Sequence, residues 1–210
     1  MTYYQAIYPG FITSLGLLAI MVPYIVVKIY RKKKISFKYT LLLFSFLVYL
    51  ACAFSMTIFP LPSREYVENM ASLDNNFTPF IFVRKIILHS PLVLSDISTW
   101  SEALHETFFL QAFLNIILTL PFGFYLKYLF KLSSKKALLY SFLLTAFFEI
   151  TQASALYGFY PKAYRYFDVD DLLLNTTGSM LGYLLASILV KYLPTNLRMK
   201  YYSFPDKIRL

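Results

Sequence analysis

Arg165-Tyr-Phe-Asp168-Val-Asp170-Asp171-Leu-Leu-Leu-Asn175-Thr176-Thr177-Gly178 places one arginine, three aspartates and an asparagine within eleven positions, then runs without a break into the apolar stretch 180–190. Charged groups at the mouth of a hydrophobic helix are costly in a bilayer and by default mark a functional site. This stretch therefore sets two expectations: a helix that spans a membrane, and a polar cluster at its entrance.

Composition supports the first expectation. The chain has 210 residues, of which 58% are hydrophobic and 15% charged, and its mean hydropathy is +0.56. Soluble domains are nearer 45–50% apolar and about 25% charged. The length suits one compact helical bundle. The single cysteine, Cys52, excludes an internal disulfide. No metal-ligand spacing, phosphate-binding loop or dinucleotide fingerprint occurs, so neither a metal nor a cofactor is expected. The net charge of +9 does not point to nucleic acid, because the basic residues sit in short runs between apolar segments, as juxtamembrane anchors do.

Five apolar runs are long enough to span: 9–30, 39–59, 108–130, 137–154 and 172–193. The predicted fold is an all-α polytopic membrane bundle. Pro121 and Gly123 interrupt the third run, where a proline frees a backbone carbonyl and should kink the helix. Fifteen of the twenty basic residues fall at the carboxyl ends of the first, third and fifth runs or just after them. By the positive-inside rule the amino terminus lies outside and the carboxyl terminus inside. Acidic residues played no part in that choice, yet nine of the eleven fall in the outer loops. The first run has its charges after the apolar stretch, the pattern of an uncleaved anchor inserted amino end outward. The outer linker 60–107 is long, and within it 80–94 is apolar but broken by Arg84, Lys85, His89 and Pro91. That piece is too short and too charged to span and reads as interfacial or re-entrant.

Three of the membrane runs carry polar groups at one depth. Asn115 lies about 12 Å into the third run at 1.5 Å per residue. Glu149 and Gln152 share a face near the outer end of the fourth, at i and i+3. Asn175 and Thr176 open the fifth, just after Arg165, Asp168 and Asp171. Taken singly, Asn115 and Gln152 read as helix–helix hydrogen bonds, contributing about 0.6 kcal/mol on average. The aspartates read as a solvated loop, one of them capping the fifth helix. Gly178 and Gly182 form a small-xxx-small pattern suited to helix packing. Glu149 is harder to account for in this way. A lone carboxylate in hydrocarbon protonates or seeks a cation, and Arg165 is the expected bidentate partner.

On these residues the chain resembles the VanZ-like family. The resemblance rests on Asn115-Ile-Ile-Leu-Thr-Leu-Pro121-Phe-Gly123, on Glu149-Ile-Thr-Gln152, and on Arg165-x-x-Asp168-x-x-Asp171-x-x-x-Asn175-Thr176-x-Gly178. Asn76-Phe-Thr-Pro79-Phe80 is a weaker fourth part. It spans about residues 40–193, dividing the chain into an anchor and basic linker (1–38), a VanZ-like membrane domain (39–193) with its outer loop (60–107), and a basic tail (194–210). It implies a multi-pass protein of the bacterial cytoplasmic membrane, in a family whose founding member is linked to low-level teicoplanin resistance. It implies no particular reaction.

Three functions compete. The first is an envelope protein whose outer-leaflet pocket binds an amphiphile: a membrane lipid, a lipid-linked wall precursor or a lipoglycopeptide. Asn115, Glu149, Gln152, Arg165, Asp168, Asp171 and Asn175 are its candidate ligand-binding residues. The second is an intramembrane enzyme acting on an outer-leaflet lipid or wall precursor, with Glu149 or Asp168 as base and His105 as acid. No nucleophile–base spacing accompanies it, and His105 in Glu102-x-x-His105-Glu106 reads as a surface residue. The third is a transporter or accessory subunit, for which five spans are few and inverted repeats are lacking. A homo-oligomer built through Gly178 and Gly182 would make up the number.

Overall fold

The computed structural model describes residues 37–59, 61–93 and 95–192. The expected first span, 9–30, and the basic tail, 194–210, lie outside them. The described chain is helical, with one isolated parallel bridge between Asn76 and Asp168. Four long helices form the bundle: α1 (Phe37–Ile58), α5 (Thr107–Tyr128), α6 (Ser134–Ala153) and α7 (Val169–Tyr192). Three short ones, α2 (Arg64–Asn69), α3 (Ile81–His89) and α4 (Ser98–His105), organise the outer linker. The helix ends fall within three residues of the apolar runs read from sequence. Asp170 and Asp171 stand inside the first turn of α7 and not in a loop before it.

By length and composition α1, α5 and α7 can each cross a membrane. α6 does not meet that test, although its twenty residues extend about 30 Å, the thickness of a hydrocarbon core. Past its exposed first turn, with Lys135 and Lys136, its polar side chains turn inward. Ala137, Ser141, Thr145 and Glu149 are buried at a four-residue spacing, whereas Leu139, Phe142, Leu143, Phe147 and Ile150 are exposed. The inner stripe meets α7 through hydroxyl pairs, Ser141 with Ser179 at 2.7 Å and Thr145 with Thr176 at 3.2 Å. Hydrocarbon outside and hydroxyls inside is the arrangement a helix adopts in lipid, where packing and polar contacts hold helices together.

α5 and α7 pack more closely than any other pair, because glycines remove the side chains between them. A Cβ on Gly178 would overlap the Ile116 carbonyl, and one on Gly182 the Leu120 carbonyl. The small-xxx-small pattern is thus used within the chain. Both glycines are buried under α5, in keeping with the helix-packing reading of the pattern. α5 continues through Pro121, and the Tyr49 hydroxyl of α1 donates to the Leu118 carbonyl, one turn before the proline, at 2.9 Å.

The bundle has two unlike ends. At one, Phe46, Phe122, Leu126, Leu129, Ala137 and Tyr183 form an apolar core from all four long helices and the α5–α6 turn. Phe46 lies edge-on to Tyr125 and Phe130, with centroids 5.2 and 5.0 Å apart. At the other end, the carboxyl ends of α1 and α6 meet the amino ends of α5 and α7 with the outer linker laid across them. Polar residues collect there.

Candidate functional site

The polar end is built around the entrance to α7. Asp168 caps the helix: its Oδ1 accepts the Asp170 N–H at 2.9 Å and the Asn76 side-chain amide at 2.8 Å. Asn76 also pairs by its backbone, donating to the Phe167 carbonyl at 2.8 Å and accepting from Val169 N–H at 3.0 Å. The Asn75 side chain accepts the Phe167 N–H at 2.8 Å, and the Phe77 and Phe167 rings stack at 5.5 Å. The weak fourth motif is therefore part of the site, locking the outer linker to α7.

Asp170 extends this lock. Its carboxylate accepts the N–H groups of Phe80 at 2.5 Å and Phe82 at 2.9 Å, capping the start of α3. First-turn N–H groups lack intrahelical partners, and Phe80 at φ 66° turns the chain into α3. Asp170 is only 3% exposed. It lies outside the family spacing, and its partners are backbone groups 90 and 88 residues away, so sequence alone offers no signal for it.

On the inner side, Asp171 Oδ1 accepts the amide of Asn115 and, at 3.4 Å, that of Gln111. Asn115 thus bonds across to a neighbouring helix, and its partner is itself a candidate site residue. Gln111, one turn before Asn115 on α5, is a partner that the sequence reading did not single out. The Tyr166 hydroxyl has a raised pKa, mainly because of burial and then through the Asp168 and Asp171 charges, so it remains protonated beside them. One turn further into α7, the Asn175 carbonyl accepts the Thr119 hydroxyl at 2.6 Å. The Asn175 side-chain oxygen is buried with no hydrogen-bond partner.

Glu149 is 2% exposed and its Oε2 accepts the Asp168 N–H at 3.1 Å. The expected Glu149–Arg165 ion pair does not form. Arg165 is exposed and donates to the Thr57 carbonyl at 3.1 Å, sharing that acceptor with the Gln152 amide at 2.7 Å. Tyr164 donates to the next carbonyl, Ile58, at 2.9 Å. The last carbonyls of a helix have no intrahelical donor and carry the negative end of its dipole. The end of α1 therefore competes with Glu149 for the arginine and takes it.

Between α6 and α7 the chain makes a left-handed turn. Ala155, Leu156, Tyr157 and Gly158 all have positive φ, from 53° to 86°. Non-glycine residues pay about 1–2 kcal/mol each for that conformation. Local bonds hold it: Ser154 Oγ accepts the Tyr157 N–H at 3.1 Å, and the Tyr157 hydroxyl pairs with Thr151 at 2.8 Å. Ala155, Tyr160 and Tyr164 then bury Val67 of α2.

The structure thus brings Asn115, Glu149, Asp168, Asp171 and Asn175 to one end of the bundle. It sets Gln152 and Arg165 at the end of α1. The histidines stand apart. His89 and His105 line an open hollow with Glu102 and Glu106 between α3 and α4, and His105 Nδ1 lies 2.5 Å from the Ser101 carbonyl. His105 is therefore not placed as the acid partner of Glu149.

A bundle of apolar helices with a carboxylate–amide network at one end defines a membrane-type protein with a built polar site. A family model described as VanZ/LLP1 matches residues 46–190, from α1 to the end of α7. The chain belongs to the VanZ/LLP1 family. Searches of curated proteins and of solved structures return no match.

Proposed function

We propose that this chain is a protein of the bacterial cytoplasmic membrane whose polar end binds the head of an amphiphile in the outer leaflet. The ligand class is a lipid, a lipid-linked wall precursor or a lipoglycopeptide, and the expected phenotype is low-level resistance to teicoplanin. The observation that carries this reading is the meeting of Glu149, Asp168 and Asp171 with the unpartnered oxygen of Asn175, at the end of helices that expose hydrocarbon. Bundle stability alone calls for no such concentration of buried acceptors, since each buried charge costs several kcal/mol to desolvate, at about that order per ion. An amphiphile would lay its tails along the apolar faces of α5 and α6. Its head would reach Arg165 from solvent and the carboxylates from the bundle end.

Complementation tests the reading. In a strain deleted for the gene, Glu149→Gln and Asp168→Asn, expressed at wild-type levels, are expected to leave teicoplanin susceptibility unrepaired. Full repair by both variants would overturn it.

A further inference from the structure

The outer linker exposes apolar side chains where a soluble loop would not. On α3, Ile87 is 73% exposed and Leu88 59%; around α4, Ile97 is 78%, Trp100 43% and Leu104 49% exposed. Ile97, Trp100 and Leu104 recur at three- and four-residue spacing, so they share one face of α4. Arg84, Ile87 and Leu88 do the same on α3. Trp100 has its indole N–H satisfied internally, donating to the Val93 carbonyl at 3.3 Å, which leaves the ring face free of any need for water.

The level of this unit is pinned. Asp170, in the first turn of α7, holds the N–H groups of Phe80 and Phe82, so α3 begins at the height where a spanning helix enters the bilayer. α3 also packs on α5, which itself exposes Leu110, Phe113 and Leu114. α3 thus docks on a helix that presents hydrocarbon to its surroundings. Nine residues rise only about 13 Å, less than half of a hydrocarbon core of about 30 Å. Arg84 and Lys85 are exposed on the same helix, and long basic side chains bury their stems while keeping their heads in water.

We infer that α3 and α4 form an interfacial cuff, lying in the headgroup–acyl boundary of the bilayer, with Ile87, Leu88, Ile97, Trp100 and Leu104 buried in lipid. The cuff rests on α5 and α7 crossing the membrane and is independent of any ligand at Glu149.

The chain has one tryptophan, Trp100, so the unmodified protein carries its own probe. The full chain would be reconstituted into phosphatidylcholine–phosphatidylglycerol vesicles. Its emission would be read with brominated lipids of two bromine depths and with aqueous iodide. The expected result is blue-shifted emission, weak iodide quenching, and strongest quenching by the shallower bromines, placing the ring roughly 5–10 Å below the headgroups. Water-like emission with strong iodide quenching would overturn the inference in favour of a solvated loop. Strongest quenching by the deeper bromines would overturn it in favour of a re-entrant segment. Insensitivity to both quenchers would show the face covered by protein and would also overturn it.

Discussion

At the scale of single residues, the partners that decide the site are mostly backbone groups. Asp170 holds two N–H groups of α3. Removing its carboxylate leaves them without an acceptor, at a cost of about 1–3 kcal/mol. Asp170→Ala is expected to lower the thermal midpoint in detergent and to speed proteolysis between 61 and 107, with Asp170→Asn less affected because it keeps one acceptor oxygen. Equal behaviour of Asp170→Ala and wild type would show that the cap has no role. The same principle explains what could be read in advance. Asp168, Asp171, Asn175 and Asn115 were legible because side-chain spacing along helices carries information, and Asn115 bonds Asp171 across α5 and α7. Asp170 and the true partner of Arg165 were not, because N–H and C=O groups are identical at every position. A sequence gives no sign of which helix end stands nearby.

At the scale of elements, the α5–α7 contact depends on absent side chains. Gly178→Ala and Gly182→Ala place a methyl against α5 backbone, and overpacking of this kind costs about 1–3 kcal/mol or more. Both are expected to lower the thermal midpoint, whereas Leu184→Ala, on the exposed side of α7, should change it little. Indistinguishable midpoints for the three would refute the close contact. The helix pattern itself was legible from apolar runs. The order in the outer linker was not, since α2, α3 and α4 are six, nine and eight residues long and gain their stability from docking. α4 carries its own pH signature. The Ser98 side chain and N–H bond Asp96 and hold its carboxyl below the usual range. A depressed folded-state pKa means the stabilisation is complete above the ordinary carboxylate pKa and is lost as pH falls through the lowered value. Trp100 emission is expected to report that loss on acidification, and Asp96→Asn to abolish the step.

At the scale of the whole molecule, the carboxyl end of α6 meets α7 at Glu149 and Asp168, while its amino end packs with α5 and α1 in the apolar core. If α5 and α7 cross the bilayer, α6 crosses beside them, even though its composition falls short. An impermeant thiol reagent on a cysteine-free background is expected to label Pro161→Cys, exposed after α6, from outside and Lys135→Cys, at its start, only from the cytoplasm. Labelling of both from one side would refute the crossing of α6. The inward polarity of α6 also bears on how the protein is made. During synthesis α6 emerges before α7, so Ser141, Thr145 and Glu149 reach the translocon before the groups that satisfy them. Carboxylates and lysines at a helix centre oppose insertion by roughly 2.5–3.5 kcal/mol each, and Glu149 lies well off that centre. α6 is therefore expected to insert more completely when α7 follows it than when the chain is truncated before α7, and glycosylation mapping of the two lengths in microsomes measures the difference.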